Sequence, residues 1–274
     1  MRRREFIAGL GAAAWPLALR AQPAERVRRI GVLMGRDEND PVAKTHVSAL
    51  TEALADLGWI EGRNLRMYVR WAAADVDRMQ PLAKELVDLP SEVIVANSTP
   101  VTAAVRRETM TIPIVMVNVG EPVANGFVAA LNQPGGNITG FGLYETSLGG
   151  KWLELLSEIA PGLKRAAIMF NPDTAPVSVY MSSFETAARN NVPAVYSNSS
   201  QVRDGGLLSY GVDRVDLFRR AASYVDRIVR GAKPTELPVQ LPTKFEMAVN
   251  LKTAKALGLG VPPSIMLRAT EVIE

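Results

Sequence analysis

The chain has no cysteine and a single histidine, His46, among 274 residues. Without thiols there are no disulfides, no thiolate metal sites and no cysteine nucleophile. With one imidazole, histidine-bearing metal motifs are excluded and the usual nucleophile–base pairs are lacking. The glycine-rich passage Gln133–Gly142 contains neither G-x-G-x-x-G nor G-x-x-x-x-G-K-(S/T), so it reads as a turn rather than a phosphate loop. His46 falls on a predicted helix surface, and Asp37, Glu38 and Asp40 read as a solvated loop run rather than an acid/base pair. These absences weigh against an enzyme and imply no cofactor.

Charge is also scarce once its location is considered. The formal net charge of +3 and pI near 9.2 suggest nucleic acid. However, Arg2, Arg3, Arg4 and Arg20, against only Glu5, lie in the first 21 residues; beyond them, basic and acidic residues number 27 each. The neutral remainder names no nucleic-acid partner. That first stretch reads as a targeting segment. Arg3-Arg4-Glu5-Phe6-Ile7 fits the twin-arginine pattern R-R-x-F-(L/I), and the apolar run Ile7–Leu19 is shorter than the roughly 20 residues of a spanning helix. Residues 1–21 are thus expected to be an export signal cleaved after Ala21, with the mature chain in the periplasm.

The most informative stretch runs from Val93 to Glu121 and reads as strand, turn, helix, strand. Its apolar runs Val93–Val95 and Ile112–Val117 do not alternate, as expected of parallel strands covered on both faces. Thr99 occupies the expected N-cap and Pro100 the first helical position. Ligands of parallel sheets gather beyond the carboxyl ends of strands, where helix N-termini present free N–H groups. Ser98 and Thr99 are therefore candidates to hold an anion or a polar head group. The alternative is that Thr99 only caps its helix.

Around this unit, strands are expected at Arg29–Met34 and Asn64–Trp71. Helices are expected to bury Val47, Leu50, Leu54 and Leu57, with Gly58 as a stop, and Met79, Leu82 and Leu86. This βαβαβαβ series signals an open parallel sheet. Val123–Leu131 reads as a short helix. The pattern restarts near 141–147 with a helix over Leu148–Ile159, a strand Ala166–Phe170, a helix Val177–Arg189 and a strand Val192–Ser197. Leu207–Tyr210, a helix capped by Asp213, the extended connector Pro238–Pro242, a strand Phe245–Asn250, a helix Leu251–Leu257 and a short final strand follow. Tyr144, Phe170, Tyr180, Tyr196 and Tyr210 sit near strand ends, where they either stack on an aromatic solute or serve as core.

Several stretches together carry a family resemblance: Leu57–Leu65 (L-G-W-I-E-G-R-N-L), Gln133–Gly140 (Q-P-G-G-N-I-T-G), Asn190–Tyr196, Asp204–Gly211 (D-G-G-L-L-S-Y-G), Leu241–Glu246 and Asn250–Gly258. The chain resembles the extracytoplasmic substrate-binding proteins of ABC importers related to the tryptophan- and tyrosine-binding group. The resemblance implies an α/β, type I periplasmic-binding-protein fold: two Rossmann-like lobes with parallel sheets, a hinge of three crossings, and a cleft that closes on one small solute. It implies lobe one at 22–143 with a returning segment at about 207–236, and lobe two at 144–206 and 237–274. It also implies a partner permease in the membrane, a monomeric state, and a solute such as an amino acid or related carboxylate. Carried over residue by residue, Ser98 and Thr99 match the lobe-one polar turn. Glu121 stands where the family more often has Asp before Pro-Val, Asn171 matches the lobe-two Asn-Pro turn, and Asp204 lies in the second crossing. The chain departs from the family near Arg189, where about 60 residues, two strand–helix units of average length, are missing. Lobe two is accordingly expected to be short, and a binding-impaired member is an alternative. A ligand-sensing regulator lobe is less favoured, because an export signal stands where a helix-turn-helix would be.

Overall fold

Residues 26–143, 147–162 and 194–274 are described in a computed structural model. Strand β1 (Arg28–Met34), helix α1 (Pro41–Asp56), β2 (Leu65–Trp71), α2 (Val76–Asp88), β3 (Val93–Asn97), α3 (Thr99–Glu108), β4 (Ile114–Val119) and β5 (Ile138–Gly142) come first. The five strands form one all-parallel sheet in the order β2-β1-β3-β4-β5. The chain runs outward from β1 to β2, then crosses back to β3, so the order reverses between β1 and β3. The crevice beyond their carboxyl ends is where doubly wound sheets bind ligands.

Local chemistry starts and stops these helices, and Asp40, expected in a solvated loop run, proves to be a cap. The Asp40 carboxylate accepts the Val42 and Ala43 amides at 2.8 and 3.1 Å and caps α1. Gly58, at φ 92°, ends it, with the Trp59 amide returning to the Leu54 carbonyl at 2.8 Å. One face of the sheet packs Val32, Val95, Val115 and Val117 against Leu50, Leu54, Phe218, Tyr224 and Val225; the other packs Ile94, Ile114 and Met116 against Leu86, Val101 and Val105. With both faces covered, β3 is buried throughout, which explains its unbroken apolar run.

The second sheet is formed by β6 (Val195–Tyr196), β7 (Leu208–Val212), β8 (Phe245–Asn250) and β9 (Glu271–Ile273), in that order. Its helices among the described residues are α4 (Ser147–Ile159), α5 (Ser199–Arg203), α7 (Leu251–Ala256) and α8 (Pro263–Arg268). It departs from the expected all-parallel pattern in one pair: β7 and β8 are antiparallel. Between them the chain leaves the second sheet, builds α6 (Arg214–Val229) against the first, and returns through the connector Pro238–Pro242. The segment expected to return as a block at 207–236 therefore divides at Asp213. β7 stays in the second sheet, and only α6 and the residues after it lie on the first.

Four local readings need correction. Val123–Leu131 forms turns, held by Asn125 Nδ2 donating to the Gly120 and Glu121 carbonyls at 2.8 and 3.1 Å. The glycine-rich passage ends in a true strand, β5. Its Gly140 (φ 137°) lies so close to β4 that a Cβ would stand 2.1 Å from the Met116 carbonyl oxygen. A short helix, α5, was missed, and among the described residues β6 spans two residues only. The expected strand Ala166–Phe170, the helix Val177–Arg189, the Arg189 junction, Tyr144, Phe170, Tyr180 and the signal segment lie outside the described residues. Among those described, no helix is long and apolar enough to cross a membrane.

Candidate functional site

The carboxyl ends of β1, β3 and β4 form a polar edge with unusual backbone geometry. All five non-glycine residues with positive φ among those described lie at or beyond the carboxyl ends of strands: Ala73 (55°) and Ala74 (60°) beyond β2, Ser98 (94°) beyond β3, Asn118 (62°) near the end of β4 and Glu121 (45°) beyond it. Each costs on the order of 1–3 kcal/mol and persists only where its surroundings hold it.

Ser98 shows how. Its amide donates to the Val117 carbonyl at 2.9 Å, and its carbonyl accepts the Thr102 amide at 3.0 Å and the Thr102 hydroxyl at 2.8 Å. The backbone is thus fixed while the side-chain Oγ is buried without a hydrogen-bond partner. Gly35, at the end of β1, leaves it room, since a Cβ there would approach Ser98 Oγ to 3.1 Å. A buried hydroxyl with no partner at a topological switch point requires an explanation, and a ligand supplies one.

Asn118 sits at a break in the β4–β5 register, between Val117 and Val119. Its Nδ2 donates to Asn97 Oδ1 at 3.0 Å, which leaves Asn118 Oδ1 buried and unpartnered. Glu121 follows two residues beyond β4, half-buried, and its carboxylate makes no hydrogen bond or ion pair among the described residues. Acceptors therefore gather at the end of β4, while the amides opening α3 lack intrahelical partners and favour an anion. Donors on one side and acceptors on the other suit a solute carrying both an anionic and a cationic group.

Thr99 does not have the capping role expected of it. The N-cap is Ser98, and Thr99 is the first helical residue; its Oγ1 accepts the Gly120 amide at 3.3 Å, tying α3 to the loop after β4. Ser98, Thr99 and Glu121 are brought to one edge. Asp204 is not among them: it is exposed, at the end of α5 ahead of β7, whereas the second crossing leaves β7 from its other end, at Val212 and Asp213. Asn171 lies outside the described residues. Asn118 was missed, although an asparagine inside the apolar run I-V-M-V-N-V was a visible signal.

His46 also departs from expectation. Helix α6 covers the flank of α1, leaving His46 only 3% exposed and stacked on Phe218, with ring centroids 4.9 Å apart at 9°. Its Nδ1 is buried without a partner. Burial, reinforced by Arg214 and Arg36, pushes its pKa down to about 4. Among the described residues no cluster of three or more His, Asp or Glu could hold a metal ion.

A family model described as ABC transporter substrate binding protein matches residues 38–192 and 173–273. The chain is 24% identical over 260 residues to the tyrosine-binding protein of Clostridioides difficile (strain R20291), covering 76% of this chain and 75% of that one. Among solved structures, a conserved domain protein from Vibrio cholerae superposes with a TM-score of 0.82 at 23% identity, covering 90% of this chain and 100% of that one. A domain from Streptococcus pneumonia in complex with L-Trp gives a TM-score of 0.79 at 20% identity, over 90% and 100% of the two chains. These likenesses establish the fold.

Proposed function

This chain belongs to the ABC transporter substrate-binding protein family, and from that membership we propose that it captures a zwitterionic solute of amino-acid type at the β1–β3 switch point. Such proteins bind small solutes in a cleft and work with ABC permeases; they carry out no reaction. The observation that carries the solute class is the unpartnered Ser98 Oγ beside the start of α3, with Asn118 Oδ1 on the adjoining strand and the Glu121 carboxylate two residues beyond it. In this reading the helix start and Ser98 hold the carboxylate, and Asn118 and Glu121 accept from the ammonium. The tyrosine-binding relative and the L-Trp-bound neighbour support the class. We further propose that the chain is exported by the twin-arginine signal in residues 1–21, acts as a monomer in the periplasm, and delivers its solute to a membrane permease.

A thermal-shift screen of the chain without residues 1–21 tests this. Amino acids at a hundred times their Kd stabilise by about 2.7 kcal/mol, whereas amine-only and carboxylate-only analogues shift it less. Stabilisation by neutral sugars and not by zwitterions would refute the solute class.

A second lobe shortened near Arg189 would give a second reading, a family member with impaired binding. The two family-model segments overlap across residues 173–192, around the proposed junction at Arg189. The alignment to the tyrosine-binding protein spans 260 positions but takes in only 76% of this chain, leaving it about fifty residues short. Cooperative folding with no response to any solute in the same screen would favour this reading.

A further inference from the structure

The loop that carries Glu121 also holds the only Asn-Gly pair of the sequence, Asn125-Gly126. Asn125 fastens this loop through both of its amides. Its Nδ2 donates to the Gly120 and Glu121 carbonyls at 2.8 and 3.1 Å, and its backbone amide donates to the Glu121 carbonyl at 2.9 Å. These bonds hold Glu121 at φ 45°, a conformation that an L-residue rarely keeps unaided. Asn125 is therefore a positioning residue, acting on a solute only through Glu121.

The same pair has the chemistry to undo this latch. Gly126 is exposed, at φ 66°, and with no side chain it offers no hindrance to attack by its amide nitrogen on the Asn125 carboxamide. Arg106 places a guanidinium nitrogen 3.6 Å from where a Gly126 Cβ would stand. That charge favours both the deprotonated amide and the oxyanion formed by its attack. In the folded turn the Gly126 amide donates to the Val123 carbonyl at 2.9 Å and the carboxamide is tied back, so the turn has to open first. All of these bonds lie within residues 120–126, and Val123, Ala124 and Gly126 are exposed, so opening disturbs no strand.

We infer that Asn125 is a site of spontaneous deamidation and that its conversion releases the Glu121 loop. The Gly126 nitrogen bonds to Asn125 Cγ, the Cγ–Nδ2 bond breaks, and Nδ2 departs as ammonia with the proton that Gly126 gives up. Water then opens the cyclic imide, at Cγ to aspartate or at the backbone carbonyl to isoaspartate. One water is consumed, one ammonia leaves and nothing is oxidised. Either product sets a carboxylate, with no proton to donate at neutral pH, against the two carbonyl oxygens that the amide had met. Isoaspartate also lengthens the chain by a methylene. Release of the loop stands by itself, whereas its effect on binding rests on the amino-acid solute proposed above.

The chain without residues 1–21 is held at mildly alkaline pH, and each asparagine is followed by peptide mass spectrometry. A one-dalton gain should accumulate at Asn125 faster than at any other asparagine. Arg106→Gln should slow it about threefold, the worth of one half-exposed charge. In Asn125→Asp, which makes the aspartate product directly, hydrogen exchange at the amides of Gly120 and position 125 should quicken about fivefold, the loss of one neutral hydrogen bond. L-Trp is the solute probe. Its affinity should fall about fivefold in Asn125→Asp, and bound L-Trp should slow deamidation of the unmodified chain, since binding and conversion oppose each other. An Asn125 that gains no mass would overturn the site, and unchanged exchange in Asn125→Asp would overturn the latch. An unchanged rate in Arg106→Gln would remove the guanidinium from the reaction. If the unmodified chain ignores L-Trp and other amino acids, the solute reading fails, and mass and exchange still decide this one. If Asn125→Asp fails to fold, exchange of the aged, partly converted chain reads the latch instead.

Discussion

Acid should destabilise this protein in part through its single histidine, His46. The folded-state pKa is about 4 against an ordinary value of 6.5, so the folded chain binds this proton less readily than the unfolded one. Stability is then complete above about pH 6.5 and is lost as the pH falls toward 4, with the unfolded state taking up the proton first. That gap corresponds to about 3 kcal/mol in full, with about 2 kcal/mol lost by pH 5 and nearly all of it by pH 4. The ring is 3% exposed, so water screens it little. A neutral ring that keeps the stack isolates the effect. Urea denaturation of the chain and of His46→Phe is compared at pH 7.5, 6, 5 and 4. Carboxylates such as Glu158, held below the ordinary range by hydrogen bonds from Ser264 and Arg268, lose stability in both proteins and cancel in the difference. The wild type should lose its margin over the variant, by about 3 kcal/mol between pH 7.5 and 4. His46→Leu provides the same comparison if the larger ring overpacks the α1–α6 contact. A difference constant to within about 0.5 kcal/mol would mean that His46 titrates normally or that the helices part to let it hydrate.

Other consequences are simpler to test. Ser98→Ala removes a hydroxyl with no partner in the chain, so urea stability should stay within about 0.5 kcal/mol while amino-acid affinity falls at least about tenfold, the loss of a hydrogen bond to a charged group; equal loss of both would make Ser98 structural. Gly140→Ala places a Cβ 2.1 Å from the Met116 carbonyl oxygen and 2.7 Å from its nitrogen. Because backbone cannot yield as a side-chain tip can, a cost above about 4 kcal/mol is expected, and a cost below about 1 kcal/mol would show that β4 and β5 separate easily. Replacing Arg3 and Arg4 by Lys should leave unprocessed protein in the cytoplasm, and normal processing of that double variant would refute twin-arginine export.

Much of the first sheet could be read directly. Apolar runs such as Val93–Val95 mark buried strands because each residue there meets a covered face whichever way it points. Asp213 and Gly58 mark helix ends because capping is settled within three or four residues of chain. Ser98, Thr99 and Glu121 could be expected at one edge because helix starts and strand ends are local features, and strand ends in a parallel sheet converge. What the residues do there depended on distant partners. Ser98 rather than Thr99 takes the N-cap position of α3 because the Val117 carbonyl, on another strand, holds the Ser98 amide in a conformation serine rarely adopts alone. Asn118 became part of the edge through a register break against β5. β5 itself was hidden because glycine has little strand propensity, and only the close approach of Met116 explains why it is required. Asp204 moved away from the site, and β7 from lobe one, because pairing with β6 and β8 decides which sheet a short strand joins. His46 has the neighbours of a helix-surface residue in sequence and is buried in the fold, since the helix that covers it begins at Arg214. Sequence determines what a residue does to its own turn of chain; the tertiary structure decides what lies against it, because contacts between distant segments exist only once both have been placed.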